Sequence, residues 1–399
     1  MNLFLSGLLY LTVIFVSVFF VYISERKGKS CGKTSVYSTN RNITAVNRNK
    51  HGSIKNIIPL VIAVILPSIL AGLRSDEIGT DVLVYGKLMM QEADRVSSFA
   101  ELNRIDTTYT EYGYRFFAYL ISRIFNGTGW LLFYTEILIL GCVIYTLYAF
   151  KDDISMWKGY AYYMFCQYHV SLNLMRQSMA IAILLVSFCY LRRNKYLKFL
   201  VSSLIATTIH SFSLIIAILM LIIWLVKDSI KTRHRKKLFI TFSIGLVVFW
   251  QYIVIFLSRI LTGPLYRYAR YLVDNNSSFV PLHAVLTSPS FLINLFFFIT
   301  AYITMNNQKN DSKDYDNVLF FYSVLGIVGT FLQVYLTIMY RLGIYFIAFN
   351  NIYLPRVLEM RSRLSKKNRS IIYVLLFFLY WLADCMLSGH SSTAIYLFR

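Results

Sequence analysis

The sequence predicts an all-α protein, a polytopic bundle of transmembrane helices, and three observations lead to that fold class. Hydrophobic residues make up 57% of the 399 residues and charged residues only 15%, whereas soluble domains have about 25% charged residues. Apolar runs long enough to cross a hydrocarbon core of about 30 Å recur along the chain. Lys and Arg collect in short loops between these runs, as they do in the cytoplasmic loops of membrane proteins. No long polar block remains, so residues 1–399 are predicted to form a single membrane domain.

The net charge of +21 is explained by these basic loops, and we expect no nucleic acid as a partner. The 5 cysteines lie far apart, without the spacing of a metal site or a disulfide framework. No basic residues precede the first apolar run and no small-residue cleavage site follows it. This run is therefore predicted to be a retained helix and not a signal peptide. No phosphate-binding loop or metalloprotease motif is present, so nothing indicates a soluble enzyme.

The charges of the first loops set the predicted orientation. Residues 24–56 carry eight Lys or Arg and one acid, so this segment is predicted to be cytoplasmic, with helix 3–23 placing the N-terminus outside. Residues 74–129 are predicted to form a large external loop, whose first part is rich in acids. Within it, 112–125 rises only about 21 Å as a helix, so we interpret it as a re-entrant or amphipathic segment.

The remaining apolar runs bring the predicted total to about 12 crossings and leave the C-terminus outside. The stretch 199–226 lies between two basic loops and is predicted to form a short hairpin, with one long tilted helix as the alternative. Residues 258–289 are a second predicted external loop. This topology places 28 Lys and Arg inside and 12 outside. The other predicted helices are 57–73, 130–150, 159–172, 177–191, 238–257, 290–305, 318–338, 342–354 and 370–387.

Polar residues that the helix pattern does not explain gather at the predicted external boundary. Such groups are costly at membrane depth and usually face a cavity or a partner, although an arginine there can instead extend to lipid headgroups. They come from separate places in the sequence: Arg74, Asp76, Asp81, Glu111, Asn173, Arg176, His210, Arg267, Arg270 and Arg341.

Three of these places suggest chemistry, and each has a simpler alternative. The segment 173–177 interrupts an apolar run, and Arg176 there has a guanidinium suited to phosphate; the alternative is a polar link between two helices. His210 has the residue type of a base near neutral pH, or it is a histidine bonded within the bundle. The carboxylates of 74–81 can orient sugar hydroxyls or accept a proton, or they only solvate a loop.

Five short blocks of this sequence, in order, resemble the signature of the EpsG family of exopolysaccharide polymerases. The sequence departs from the family in that Ser211 follows His210 where the family often has proline. Its loop 24–56 is also longer and more basic than expected. The blocks are Leu73-Arg74 through Gly79-Thr80-Asp81 with Tyr85, Glu111-Tyr112-Gly113-Tyr114, Asn173-Leu174-Met175-Arg176-Gln177-Ser178-Met179-Ala180, Ile209-His210-Ser211 with Leu214, and Tyr340-Arg341 with Tyr345-Phe346.

The resemblance implies a polymerase of the Wzy type in a bacterial cytoplasmic (inner) membrane. Such an enzyme joins undecaprenyl-pyrophosphate-linked oligosaccharide repeats into O-antigen, capsule or exopolysaccharide on the outer face, with no metal, nucleotide sugar or other cofactor. Its expected partners are this lipid-linked glycan, as donor and acceptor, membrane lipid and a chain-length regulator protein. The alternatives are a flippase or other transporter, which would need polar residues across the membrane midplane, an O-antigen ligase with the same donor, and an acyltransferase.

The candidate residues divide by chemistry into three predicted roles. His210 is the first choice for the base that takes the proton of the acceptor hydroxyl, and Asp81 is the second. Arginines would hold the pyrophosphate and stabilise its developing charge, with Arg176 and Arg341 first, then Arg267, Arg270 and Arg74. The groups expected to position sugars are Asp76, Glu111, Tyr114, Asn173 and Gln177.

Overall fold

In the computed structural model, the described residues are 2–31, 54–105, 110–228, 233–250, 252, 256, 280–306, 313–335, 339–360, 365–389 and 391–399. Within them the protein is helical and contains no β-strand. In chain order the α-helices are α1 Leu3–Cys31, α2 Ile54–Leu73, α3 Leu88–Arg95, α4 Phe99–Ile105, α5 Tyr112–Ser122, α6 Thr128–Ala149, α7 Met156–Cys166, α8 Tyr168–Asn173, α9 Met175–Arg192, α10 Tyr196–Ile209, α11 Ser213–Leu225, α12 Arg233–Val248, α13 Leu282–Thr287, α14 Pro289–Asn306, α15 Asp314–Phe331, α16 Met339–Ile347, α17 Asn350–Glu359 and α18 Lys366–Trp381. Two π-helical segments, Val82–Lys87 and Leu382–Leu387, precede α3 and follow α18.

Nine of the described helical segments are apolar enough to lie in a membrane. The five that are also long enough to cross one are Leu3–Lys27, Thr128–Ala149, Met175–Arg192, Asp314–Val334 and Lys366–Leu387. The four shorter ones are Ile57–Leu73, Tyr196–Ile209, Ser213–Leu225 and Pro289–Met305. The predicted class, an all-α multi-pass membrane protein, is therefore confirmed. The count of about 12 crossings and the outside location of both termini remain predictions.

Breaks between helices occur where the polar residues of the sequence suggested them. Helices α10 and α11 are separate, and the chain turns at His210, whose backbone is extended. The predicted hairpin is thus confirmed against the single long helix. Helix α9 begins directly after Leu174, which leaves the helical conformation. Helix α5 has only 11 residues and buries one face, including Tyr114 and Ala118, which agrees with an amphipathic segment that does not cross.

Other boundaries differ from the prediction. Helix α1 continues to Cys31, beyond the predicted end at residue 23. Glu25, in this extension, accepts hydrogen bonds from the Ser155 hydroxyl and the Trp157 amide. The predicted helix 342–354 is divided into α16 and α17 near Phe349. Residues 74–129, predicted as a loop, consist mostly of short helices that pack on one another. Hydropathy does not detect such helices, because they are stabilised by contacts and not by lipid.

Glycines allow α15 and α16 to pack with their backbones in contact. A Cβ atom at Gly329 would lie 2.5 Å from the backbone nitrogen of Gly343, and one at Gly326 would lie 3.2 Å from that of Ile347. Small residues at helix contacts are how membrane helices gain close van der Waals packing. This contact fixes the first turn of α16, where Arg341 is located.

Ionised side chains meet at both ends of the bundle. At one end, Arg356 donates from Nε and Nη2 to the two carboxylate oxygens of Asp316, at 3.1 and 3.2 Å, and both side chains are buried. Arg192 donates to Asp153 at the same end, at 2.7 Å. The 22 residues of α6 separate this end from the other by about 33 Å. The opposite end carries the candidate residues.

The C-terminal residues 391–399 fold back over that opposite end, which the sequence did not indicate. The backbone of Leu397 accepts a hydrogen bond from the Ser75 amide at 2.7 Å, and the Tyr396 hydroxyl donates to the Leu70 carbonyl at 2.6 Å. The Gly79 amide donates to the Ser392 carbonyl at 3.2 Å. The tail therefore holds the end of α2 and the segment that follows it.

Replacing Gly329 by leucine should destabilise the protein, because its side chain would be forced into the backbone of α16. Overpacking of this kind costs roughly 1–3 kcal/mol, and we expect a clear fall in the melting temperature of the purified protein in detergent. Gly141→Leu is the matched control, since a Cβ there meets nothing within 4 Å. Equal melting temperatures for the two variants would contradict the close packing of α15 on α16.

Candidate active site

The segment Gly79-Thr80-Asp81 packs against the break between α8 and α9. Gly79 has φ +89°, a conformation that favours glycine, and a Cβ there would lie 3.0 Å from the Leu172 carbonyl oxygen. Asn173 Oδ1 accepts hydrogen bonds from the Asp81 amide at 3.1 Å and the Thr80 hydroxyl at 3.3 Å. Glycine at this position and the Asn173 side chain together determine where the Asp81 carboxylate lies.

Arg176 forms the central ion pair of the site. Its Nη1 lies 2.5 Å from Glu111 Oε2, and its guanidinium stacks 4.1 Å from the ring centre of Tyr85. The other oxygen of Glu111 accepts hydrogen bonds from the Ser211 amide at 3.2 Å and the Ser211 hydroxyl at 3.4 Å. A charge-assisted bond and a stacked ring fix the plane of the guanidinium. The pair also joins α5 and α9 to the tip of the α10–α11 hairpin.

Arg341 is more exposed to solvent than Arg176. Its side chain is 43% exposed, against 14% for Arg176. Its Nη2 lies 3.8 Å from Asp81 Oδ1, a separation that makes an ion pair without a direct hydrogen bond. The Gln177 amide donates to the Arg341 backbone carbonyl at 2.7 Å. Arg341 is thus anchored through its backbone, while its guanidinium remains accessible.

His210 ends a chain of polar side chains that runs into the bundle. Its Nδ1 lies 2.7 Å from the Tyr345 hydroxyl, which lies 3.0 Å from the hydroxyl of Ser213. Burial lowers the pKa of His210 to about 4; Glu111 raises this pKa and the two arginines lower it. The imidazole is therefore neutral at pH 7. If Nδ1–H donates to Tyr345, the Nε2 lone pair is available to a substrate.

The pKa of Asp81 is shifted in the opposite direction to that of His210. Burial raises the pKa of Asp81 above its usual value, and the charges of Arg341 and Arg176 lower it in part. A carboxylate with a raised pKa is a stronger base than an ordinary one. The site therefore contains two groups that could accept a proton, a neutral histidine of weakened basicity and a carboxylate of strengthened basicity.

The structure brings together seven of the predicted site residues and places two others in a neighbouring group. Arg74 is 2% exposed, beneath the C-terminal tail, with Glu136 and three tyrosines as its electrostatic neighbours. Asp76 pairs with Arg399 and, at 3.8 Å, with Lys87. In this conformation Arg74 does not reach the open part of the site. The seven are Asp81, Glu111, Asn173, Arg176, Gln177, His210 and Arg341.

Three further predicted residues have separate outcomes. Tyr114 is fully buried below Arg176 and Asp81, so its predicted contact with a sugar would require an opening of α5. Arg267 and Arg270 lie outside the described residues. Across the described part of the chain, no group of three or more His, Cys, Asp or Glu side chains is arranged to hold a metal ion.

Four contributors were not predicted as site residues. Tyr85 stacks on Arg176, Ser211 binds Glu111, and Tyr345 and Ser213 bind each other beside His210. Tyr85, Ser211 and Tyr345 fall within the short blocks of the resemblance, which was the available signal. Their partners lie at least 90 residues away in the sequence, so no local spacing could assign their contacts.

These features define a class of protein: a multi-pass, all-helical membrane protein with a charged site at one end of its bundle. The model of the EpsG family matches residues 57–398. The chain belongs to the EpsG family, and this membership supports a role in polysaccharide biosynthesis of the Wzy polymerase type. Neither the curated proteins nor the solved structures include a match to this chain.

His210 is predicted to remain neutral between about pH 8 and pH 5, because its pKa is lowered from an ordinary value of about 6.5. NMR of the protein labelled with ¹⁵N-histidine can follow the ring, with His210→Gln used to assign its signal. Glu111→Gln should lower the pKa further, since the Glu111 carboxylate raises it. Titration of His210 near pH 6.5 would contradict the burial that the structure shows.

Proposed function

We propose that this protein is a membrane glycosyltransferase that polymerises undecaprenyl-pyrophosphate-linked oligosaccharide repeats into O-antigen, capsule or exopolysaccharide. The reaction takes place at the end of the bundle that carries Arg176 and His210, on the outer face of the bacterial cytoplasmic membrane. The observation that carries the proposal is the convergence of two arginines, two carboxylates and a neutral histidine at that end. Membership in the EpsG family supports the same reaction class.

The arginines bind the diphosphate of the donor. In the reaction, the bond between the donor sugar carbon and the pyrophosphate oxygen breaks, and its electron pair leaves with that oxygen. Arg341 has the exposure to meet the incoming headgroup, and Arg176 has the fixed orientation to stabilise the charge that develops. A guanidinium has five N–H donors, and the bond to Glu111 uses one of those of Arg176. Arg74 is not part of this proposal, because it is buried.

The acceptor hydroxyl loses its proton as its oxygen attacks the donor sugar carbon. A general base works best with a pKa near the operating pH. Burial moves the pKa of Asp81 toward that range and the pKa of His210 away from it. We therefore place Asp81 as the base and His210 as the group that orients the acceptor hydroxyl, which reverses the order predicted from the sequence.

The remaining polar residues position the base and the two arginines. Asn173 holds the Asp81 backbone, Gln177 holds the Arg341 backbone, and Glu111 orients Arg176. The predicted contacts of Glu111 and Asn173 with sugars can coexist with these roles, since both are partly exposed, whereas Gln177 is buried. A chain-length regulator is an expected partner of such an enzyme.

An O-antigen ligase is the nearest alternative, because it would use the same donor and differ only in the acceptor. A flippase is less well supported. A transporter site is expected near the midplane. The buried pair of His169 and Asp384, 3.0 Å apart, instead lies close to the end of the bundle that carries Arg176 and His210. His169 is within about 6 Å of Asn173 along the chain of α8.

Arg176→Ala and Arg341→Ala should each abolish long polysaccharide chains, because each removes half of the phosphate clamp. A strain that lacks the gene is complemented with each variant, and its surface polysaccharide is separated on a gel beside an immunoblot for membrane protein. One-repeat products in place of ladders are expected. Arg193→Ala, at the opposite end of the bundle and exposed, is the matched control. Normal ladders from both site variants would refute the clamp.

Asp81→Asn should abolish polymerisation, whereas His210→Gln should reduce it by roughly 10²-fold or less, since only the first removes the base. The measurement is the rate of chain elongation by purified protein on lipid-linked repeats. Full loss with His210→Gln and partial activity with Asp81→Asn would restore the histidine as the base.

A further inference from the structure

A large open groove lies on the membrane-facing side of the bundle, at the end opposite the candidate active site. Helices α1 and α18 form its walls, α7 forms its floor, and its volume is about 970 Å³. Ligand pockets usually span roughly 300–1,000 Å³. From Lys366 to Phe378, α18 runs about 18 Å along the groove, close to the half-thickness of a hydrocarbon core, about 15 Å.

Aromatic rings line the inner part of the groove. Phe165 on the floor packs edge to face against Phe15 of α1, with ring centres 5.7 Å apart, and against Phe378 of α18, at 6.3 Å. Between this row and the mouth, the α18 wall presents Ile371 and Leu375, which are both exposed. The groove is therefore an apolar channel, open along its side, with about the length of one leaflet.

The mouth of the groove is basic. Lys158, Lys366 and Lys367 line it, and Glu359 pairs with the first two, at 3.3 Å for Lys158. A second carboxylate, that of Glu25, accepts a hydrogen bond from the Trp157 amide at 3.2 Å. Three ammonium groups against two carboxylates leave one positive charge in excess at this point. Trp157, which also lines the mouth, is an amphipathic side chain of the kind that lies at headgroup level.

We infer that this groove binds one anionic phospholipid, with its phosphate on the lysines and an acyl chain in the apolar channel. Charge complementarity selects a negative headgroup, because each Lys near an anionic membrane surface contributes about 1 kcal/mol of attraction. A second copy of the chain is disfavoured as the occupant, since it would bring like charges together. The site is distinct from the donor site, which lies at the other end of the bundle.

Native mass spectrometry of the full chain in detergent tests the inference, with added phosphatidylglycerol or phosphatidylcholine of identical acyl chains. We expect one phosphatidylglycerol to be retained in preference to phosphatidylcholine. Lys366→Gln with Lys367→Gln should weaken its retention by about fivefold for each lysine. The matched control is Lys195→Gln with Lys198→Gln, two exposed lysines outside the groove, and it should leave retention unchanged.

A second variant examines the apolar channel. Leu375→Trp fills the groove from an exposed position, so it should displace the bound lipid without disturbing the core. Equal retention of the two lipids, or equal loss from the groove and control lysine variants, would show that only surrounding lipid is bound and would overturn the inference. A change of oligomeric state with Leu375→Trp would also overturn it, because a second chain would then occupy the groove.

Discussion

The ion pair between Arg176 and Glu111 is the interaction on which the arrangement of the site depends. Glu111 uses one oxygen for Arg176 and the other for Ser211, so a single carboxylate connects α5, α9 and the hairpin tip. A charge near the membrane boundary that lost its partner would be costly. Separation of the three segments would leave these charges unpaired, so the ion pair stabilises their association. The stacking of Tyr85 on the guanidinium stabilises it further.

Close backbone contacts at two glycines position the other charged groups of the site. Gly79 approaches the end of α8 closely enough that a side chain would collide with the Leu172 carbonyl, and Gly329 brings α15 against α16. The first contact positions Asp81 and the second positions Arg341. The two charged groups thus come to 3.8 Å from one another through packing of their backbones, since no direct hydrogen bond joins them.

Partial burial gives the site its acid and base character. Removal from water disfavours the charged form of any group, so the same environment raises the pKa of Asp81 and lowers that of His210. Two groups that begin about three pKa units apart are moved in opposite directions. The difference between their pKa values is therefore reduced by the folded site and is not set by the residue types alone.

The sequence by itself determined the fold class, because apolar length and the clustering of Lys and Arg reflect the bilayer directly. It also located the helix breaks at Asn173 and His210, since polar residues interrupt apolar runs there. Only the tertiary structure decided which candidates share a site. Arg74 and Arg176 are both predicted from the sequence to hold the pyrophosphate, yet Arg74 is buried beneath the C-terminal tail and Arg176 pairs with Glu111. Contacts between residues far apart in the chain produce that difference, and no local pattern records them.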